Sequence, residues 1–378
     1  MKSRYRRALH LLSRIVVSLV ALVLGAATAL PLLRSDAWWI RVLDFPRIQI
    51  AALIVLTLTG YAALRLRGRL RPWELALAAA LAVGLLWQAW SIAPYTRLHP
   101  REMAQSQAAQ NPNRLSMLVF NVLADNREVD ALRDLIRAHD PDIILLSEPT
   151  AWWLDQLSGL EEDYPYTIIQ PQENKYGKLL FSRLELLDPK VRFLIEPGIP
   201  SLRTGVRLQS GATLTLFGVH PRPPGIKVPE SSSTIQGEDS EMRDAELLLV
   251  AKEVAKLGDV PVIVAGDFND VAWSRTTHLF QRIGGLLDPR VGRGLFNSFD
   301  TRSRLLRFPL DHVFASQHFL LVELRRLPDI GSDHFPILVI LDHDPAASAI
   351  NDVPEPDPGD RQEAEEAIQD GKTPDQGR

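Results

Sequence analysis

The pattern of hydrophobic and polar positions divides the chain into stretches of unlike character. Before about residue 95, three long apolar runs are separated by short polar loops. From 114 to 342, short apolar runs alternate with amphipathic stretches, and after 343 large apolar residues are rare. We predict a membrane anchor over 1–95, a linker over 96–113, a globular domain over 114–342 and a disordered acidic tail over 343–378.

The three apolar runs cover about 15–33, 48–64 and 75–92. The first has 19 uncharged residues, which span roughly 28 Å as a helix, close to the hydrocarbon thickness of a bilayer. By itself it also resembles the core of a signal peptide. Two further runs favour an uncleaved anchor of three transmembrane helices, with the lipid bilayer as a partner.

Positive charge predicts the orientation of this anchor. Lys and Arg are concentrated before the first run and in the loop 65–71, whereas the loop 34–47 carries both signs of charge. Cytoplasmic loops are enriched in Lys and Arg, so the N-terminus and the second loop should be cytoplasmic. With three spans, the sequence predicts a multi-pass protein of the cell (inner) membrane whose globular domain is extracytoplasmic, in the periplasm of a bacterial source.

The globular domain has many short strands and few helices. Helical spacing covers 128–139 and 241–257. Strand-like runs occur at 115–122, 142–147, 179–182, 186–195, 204–208, 213–219, 260–265, 310–314 and 336–341. This mixture indicates α/β layers around two sheets rather than a parallel doubly wound sheet.

Composition excludes several classes of site and partner. The chain has no cysteine, which excludes disulfides and thiolate metal sites. Residues 114–342 carry 25 Lys and Arg against 32 Asp and Glu, so tight binding of duplex DNA is not expected. Residues 1–113 have 14 basic and 4 acidic side chains, and residues 343–378 have 3 and 10.

Polar side chains with metal-binding or acid–base chemistry stand where the apolar runs end. They are Asn121, Glu148, His220, Asp267, Asn269, Asp311, Asp333 and His334. The ends of neighbouring strands meet at one edge of a sheet sandwich, where carboxylates can hold Mg²⁺ or Mn²⁺. Each motif alone has a simpler explanation: residues 266–269 favour a turn, and 332–334 can cap a helix.

The order of these motifs resembles that of the endonuclease/exonuclease/phosphatase superfamily. The matching stretches are 120–122, 146–148, 219–221, 266–269, 310–313 and 331–336. The most diagnostic are Gly-Asp-Phe-Asn at 266–269 and Ser-Asp-His-Phe-Pro at 332–336. The resemblance covers about 114–342 and implies a four-layer α/β sandwich, two mainly antiparallel sheets flanked by helices.

The resemblance also implies roles for the polar residues. The metal ligands would be Glu148, Asn121 and Asp333. Asp267 would orient or deprotonate the attacking water, and Asn269 and His220 would contact the phosphate. His334 would act at the scissile phosphate or in proton transfer, with Asp311 orienting its ring. The implied cofactor is Mg²⁺ or Mn²⁺.

Two features depart from the family pattern or go beyond it. Ser147 replaces the glutamine that usually precedes the family's glutamate. Arginines cluster over 290–307, and Arg302, Arg304 and Arg307 are weaker candidates for substrate binding. The alternative for these arginines is a solvated face.

These observations predict a membrane-anchored, divalent-metal-dependent phosphoesterase that hydrolyses a phosphodiester or phosphomonoester by in-line attack of water. Its substrate would be a phospholipid, a phosphorylated head group or nucleic acid. The alternatives are an inactive domain that binds a phosphorylated ligand and a membrane scaffold. The oligomeric state stays open.

Overall fold

A computed structural model describes residues 2–227 and 236–373. The chain divides between Pro94 and Tyr95 into two compact units. The first, or helical, unit contains α1 (Lys2–Ala29), α2 (Trp38–Arg41), α3 (Arg47–Arg67) and α4 (Pro72–Ile92). The second, or sandwich, unit contains all the remaining helices and strands.

Helices α1, α3 and α4 are long and apolar enough to cross a membrane. They pack on one another through buried side chains such as Leu24, Ile54 and Leu81. Their other faces present apolar side chains outward, among them Leu56 and Leu86, which are 65% and 71% exposed. A helix bundle with apolar side chains both inside and outside is typical of a membrane-embedded unit.

The sandwich unit contains two large sheets. Strands of the first sheet are β1 (Arg114–Asn121), β2 (Ile143–Ser147), β3 (Tyr166–Gln170), β4 (Lys178–Ser182), β12 (Phe319–Arg326) and β13 (Ile337–His343). Strands of the second are β5 (Leu186–Arg192), β6 (Ser201–Arg207), β7 (Thr213–Val219), β10 (Val262–Asp267) and β11 (Asp311–Ala315). The strand order is β12-β13-β1-β2-β4-β3 in the first sheet and β11-β10-β7-β6-β5 in the second. A short ribbon joins β8 (Gly225–Lys227) and β9 (Gln236–Glu238).

Three apolar layers hold the sandwich together. Side chains of both sheets, such as Leu145 and Leu216, form the central layer. Helices α5 (Val129–His139) and α6 (Ala151–Gln156) cover the first sheet. Helices α7 (Glu241–Leu257), α8 (Arg275–Gly284) and α9 (Asp360–Lys372) cover the second. The predicted four-layer α/β sandwich, preceded by three long apolar helices, is confirmed.

Each sheet is mainly antiparallel but contains one parallel pair at its centre. These pairs are β1 with β2 in the first sheet and β7 with β10 in the second. The carboxyl ends of two parallel strands lie at the same edge of a sheet. This pairing determines where the side chains of the candidate site meet.

Two expectations about the ends of the sandwich unit need correction. The tail was expected to be disordered over 343–378, but α9 packs on α7 and buries Ala364 and Ile368 completely. These two residues lie at helical spacing on one face of α9, and ion pairs such as Arg282–Asp360 also hold the helix. Residues 374–378 lie outside the described residues. The linker is also partly packed, since Met103 is fully buried between the sheets.

Candidate active site

The predicted site residues meet at one edge of the sandwich. Asn121 is the last residue of β1, and Glu148 directly follows its parallel partner β2. Asp267 ends β10 and His220 directly follows its parallel partner β7. Each strand of the two parallel pairs therefore places one polar residue at the same edge of the sandwich.

Asn121 joins the two sheets through its side-chain amide. Its Nδ2 atom donates to Glu148 Oε1 at 2.9 Å and to Asp267 Oδ2 at 3.0 Å. Its Oδ1 atom accepts from the backbone N–H of Leu123 at 3.0 Å. As placed, the amide binds the two carboxylates and fixes their separation.

Asp311 and His334 form a buried pair beside these carboxylates. His334 Nδ1 lies 2.7 Å from Asp311 Oδ2, and His334 Nε2 lies 3.5 Å from Asp267 Oδ2. Asp311 is the register partner of Asp267 across β10 and β11. One ligand atom from each of these three residues lies within 4.8 Å of the others. The sequence prediction that Asp311 orients the His334 ring fits this geometry.

His220 and Asn269 complete the cluster from the second sheet. His220 Nε2 lies 3.6 Å from Asp267 Oδ2 and 3.9 Å from Glu148 Oε1. The backbone N–H of Asn269 donates to Asp267 Oδ1 at 2.9 Å, and its side chain donates to the Pro221 carbonyl at 3.0 Å. Asn269 thus connects Asp267 to the loop that carries His220.

Burial and neighbouring charges shift the ionisation of these groups in opposite directions. Burial raises the pKa of Asp267 to about 7, although His334 opposes this rise. Burial alone would lower the pKa of His334, but Asp311 and Asp267 raise it to about 10. Burial, Lys178 and His334 lower the pKa of His220 well below its usual value. These opposite pKa shifts favour the protonated form of His334 and the neutral form of His220.

The cluster has the donor atoms that a divalent cation requires. Glu148 Oε2 and Asp311 Oδ1 are buried and have no hydrogen-bond partner among the described residues. Burial also raises the pKa of Glu148, and a bound cation would offset the burial of these negative charges. Carboxylate oxygens without cysteine ligands suit Mg²⁺ or Mn²⁺. The group of Asp267, Asp311 and His334 therefore offers ligands to a hard metal ion, and Asn121 connects Glu148 to it through Asp267.

Asp333 is near enough for its charge to raise the pKa of both Glu148 and His334, but it also faces an arginine. Its side chain faces Arg302, with Arg302 Nη2 at 3.5 Å from Asp333 Oδ2. Arg302 also forms an ion pair with Asp300 at 2.9 Å. Of the three predicted metal ligands, Glu148 and Asn121 are within hydrogen-bonding distance of each other, whereas Asp333 pairs with an arginine.

The arginines of the segment 290–307 lie in different environments. Arg290 is buried in an ion pair with Asp288 at 2.7 Å. Arg307 Nε donates to the Ser303 carbonyl at 2.5 Å, and its guanidinium lies 4.9 Å from the Phe335 ring. Arg302 and Arg304 are exposed. Only Arg302 directly contacts a predicted site residue, namely Asp333.

Sequence reasoning missed Lys178, which is fully buried. Its Nζ atom donates to Ser147 Oγ and to the Val219 carbonyl, both at 2.8 Å. Ser147 precedes Glu148 and Val219 precedes His220, so Lys178 connects the two sheets behind the site. Burial lowers the pKa of Lys178 to about 7, although Asp267 opposes this shift. The available signals were a lysine opening an apolar strand and the unusual Ser147.

Gly266 explains why a glycine precedes Asp267. A Cβ atom at this position would lie 2.0 Å from the Val219 carbonyl oxygen of the parallel strand β7. The residue also has a φ of 139°, a conformation that side-chain-bearing residues rarely adopt. Glycine therefore permits the close strand approach that brings Asp267 beside His220.

A family model described as Endonuclease/Exonuclease/phosphatase family matches residues 118–334. This range covers more than half of the 378 residues. The chain belongs to this family. The match begins in β1 and ends at His334, so it includes all the strand ends that meet in the candidate site.

Several solved structures resemble the chain at low sequence identity. A family member from Bacteroides thetaiotaomicron is 19% identical, with a TM-score of 0.49 over 62% of this chain and 99% of that chain. D. rerio TDP2 complexed with single strand DNA product is 17% identical, with 0.47 over 61% and 99%. The human Nocturnin catalytic domain with bound sulfate is 17% identical, with 0.47 over 62% and 96%. No curated protein matches the chain.

Proposed function

We propose that this protein is a membrane-anchored, divalent-metal-dependent phosphoesterase that hydrolyses a phosphodiester or phosphomonoester bond. The observation that carries the proposal is the buried group of Asp267, Asp311 and His334 beside Glu148. A structural charge cluster would pair its oxygens internally, whereas Glu148 Oε2 and Asp311 Oδ1 lack partners in the described chain. Unpaired buried carboxylate oxygens at a family site favour a metal-dependent reaction.

The side chains have complementary roles in the proposed hydrolysis. Asp267 faces both His220 and His334 and would accept a proton from the attacking water. His334, held by Asp311, would present Nε2 to the phosphate as a cation and proton donor. Neutral His220 would donate a hydrogen bond to a phosphate oxygen.

The metal would be held by Glu148, with Asp267 and Asp311 close by. When bound, a divalent ion supplies positive charge to the phosphate oxygens and lowers the pKa of water. Asn121 currently directs its amide nitrogen toward the carboxylates. A role as a metal ligand would need its amide to turn and give up the hydrogen bond from Leu123.

The decisive experiment is hydrolysis by the full chain in detergent, with Mg²⁺, with Mn²⁺ and with a chelator. The panel contains a generic phosphodiester, a phosphomonoester, single-stranded DNA, plasmid DNA and phospholipids. Glu148→Ala and His334→Ala should each abolish metal-dependent turnover. His99→Ala and Glu161→Ala, both at exposed positions, should retain it. The best substrate would assign the subclass.

A folded, metal-binding protein that turns over nothing on this panel would refute the proposal. The alternatives would then be an inactive phosphoryl-ligand-binding domain or a membrane scaffold. These two can be separated because a scaffold should co-purify with a partner at fixed stoichiometry. A ligand-binding domain should instead be stabilised by a phosphorylated compound.

We also propose that the helical unit anchors the enzyme in the membrane with the sandwich unit on the extracytoplasmic side. The support is the length and apolar character of α1, α3 and α4 and the arginines of the loop 65–71. A reporter that works only outside the cytoplasm should be active when it is fused after Pro100. If a reporter that works only in the cytoplasm is active at the same fusion point, the proposed orientation is reversed.

A further inference from the structure

A basic pocket in the sandwich unit shares no lining residue with the catalytic cluster. Its volume is about 610 Å³, within the range of small-molecule sites. Three chain segments line it: Tyr95–Arg97, Arg293–Asn297 and Leu324–Arg326. We call it the arginine pocket.

The pocket is strongly and uniformly positive. Its described lining residues include Arg97, Arg293, Arg325 and Arg326 but no carboxylate. Guanidinium groups recognise phosphate through charge-assisted, often bidentate hydrogen bonds. The chemistry of the lining therefore selects an anion, and a phosphate group in particular.

Two of these arginines are fixed by the protein. Arg293 donates to the carbonyls of Pro289 and Met103 at 3.1 and 2.7 Å. Its Nε atom is buried and has no hydrogen-bond partner among the described residues. Arg326 donates to the Asn297 carbonyl at 3.0 Å and packs on the Phe335 ring. Fixed donors reduce the entropy lost when a ligand binds.

Arg97 and Arg325 are less constrained. Both are exposed, as Arg326 is, and among the described residues Arg325 makes a long contact of 3.4 Å with the half-exposed Glu323. Burial and the neighbouring Arg101 lower the pKa of Arg293 to about 10. Crowded positive charges of this kind are stabilised when an anion enters.

The position of the pocket in the chain indicates which phosphate it meets. Helix α4 ends at Ile92, and the first pocket residue, Tyr95, follows three positions later. If α4 spans the bilayer as proposed above, this segment emerges at the level of the lipid phosphates. Lipid phosphates are then the most concentrated phosphate esters near Arg97, and anionic lipids attract basic side chains at a membrane surface.

We propose that the arginine pocket binds the glycerophosphate head group of an anionic phospholipid. The inference depends on the proposed membrane anchoring but not on the proposed hydrolysis, because the pocket shares no residue with the catalytic cluster. Lipid bound there would hold the sandwich unit against the membrane surface.

The test measures lipid binding to the full chain in detergent by native mass spectrometry. The probes are dioctanoyl phosphatidylglycerol, dioctanoyl phosphatidylcholine and inorganic phosphate. The binding background is the doubly inactive Glu148→Ala/His334→Ala protein, so that no lipid is consumed. We expect phosphatidylglycerol to bind at least about tenfold more tightly than phosphatidylcholine, a difference of about 1.4 kcal/mol.

The pocket variant is Arg97→Gln/Arg325→Gln, which changes exposed positions only. The matched control is Arg137→Gln/Arg207→Gln, whose side chains are 71% and 49% exposed. The pocket variant should lose the preference for phosphatidylglycerol, and the control should keep it. Equal preference in both variants would overturn the proposal, because other basic loops would then account for the binding.

Binding of inorganic phosphate distinguishes a free phosphate ligand from the phosphate of a lipid head group. Tight phosphate binding that depends on Arg97 and Arg325, without a preference for phosphatidylglycerol, would assign the pocket to free phosphate and overturn the lipid proposal. Extraction of the wild-type chain from membranes by alkaline carbonate tests the anchoring separately. Loss of hydrolysis alone would leave the lipid-binding result unaffected, so the two proposals fail independently.

Discussion

Two buried histidines of the sandwich unit, His334 and His312, have opposite electrostatic surroundings. His334 Nδ1 faces the carboxylate of Asp311 at 2.7 Å. His312 Nδ1 faces the guanidinium of Arg290 at 2.6 Å, and its Nε2 lies 2.9 Å from the Asp270 carbonyl. Charge raises the pKa of His334 to about 10, whereas burial and Arg290 lower that of His312 well below its usual value.

The difference arises from strand geometry. Asp311 and His312 are neighbours on β11, and successive side chains of a strand point to opposite faces. One face therefore contributes to the candidate active site, and the other contributes to a structural cluster of Arg290, Asp288 and Glu102. The charge of the group beside a buried histidine, and not burial alone, therefore distinguishes a candidate reactive histidine from a structural one.

The largest effect is expected from Asp311→Asn, which removes the charge that orients His334. The variant keeps the shape of the side chain but cannot hold the imidazolium. We expect kcat on the best substrate to fall by about 10²–10⁴-fold with little change in the thermal midpoint. A variant with near-normal kcat would show that the pair is structural. Asp134→Asn, at an exposed position, is the matched control.

Breaking the structural cluster should instead affect stability. Arg290→Met would leave Asp288 buried without its cation, which costs about 3–5 kcal/mol in a typical buried pair. The thermal midpoint of the sandwich unit should fall by about 10 °C. Arg207→Met removes an exposed ion pair with Glu185 and should have almost no effect. An unchanged midpoint for Arg290→Met would contradict the assigned role of this cluster.

Lys178→Met tests the connection between the sheets behind the site. The apolar side chain would leave Ser147 Oγ and the Val219 carbonyl without their donor. Because these residues precede Glu148 and His220, we expect the metal concentration for half-maximal activity to rise by about 10–100-fold. Lys252→Met, which removes a surface ion pair with Glu365, is the control. Unchanged metal dependence would limit Lys178 to a packing role.

The buried carboxyl group of Glu102 makes the stability of the sandwich unit depend on pH. Burial and Asp288 raise the pKa of Glu102 to about 8, above the unfolded value near 4.3. The folded state therefore binds this proton more tightly, and its contribution to stability falls as pH rises from about 4.5 to 8. The thermal midpoint of the Glu102→Gln variant, measured relative to that of the wild type, should rise as the pH increases from about 5.5 to 8.5. A difference that does not change with pH would mean that Glu102 is ionised throughout.

The fold and most of the cluster could be predicted because local patterns report strand ends directly. The apolar runs that contribute to the site are each followed by a polar residue of the candidate site. The order of the family's motifs along the chain then predicts which of these runs become neighbouring strands. What could not be predicted depends on long-range packing. The Lys178 ammonium is satisfied by two strands distant in sequence, and Asp333 pairs with Arg302 across a loop.

The helix α9 shows the same limit. Its sequence is mainly charged, so composition favours disorder. Packing on α7 and α8, which are distant in sequence, gives Ala364 and Ile368 a surface to bury against. Arg290 is similar, because nothing in its local sequence distinguishes a buried ion pair with Asp288 from a solvated arginine.

The pairing of β1 with β13 has a consequence for biosynthesis. The first strand of the sandwich unit takes one of its neighbours from the last strand, so Leu115 meets Leu341 in register. Contacts between residues so distant in sequence slow folding. The first sheet cannot close until β13 has been synthesised, and His334 lies only three residues before that strand. The candidate active site should therefore be completed late in synthesis, well after the three apolar helices have been made.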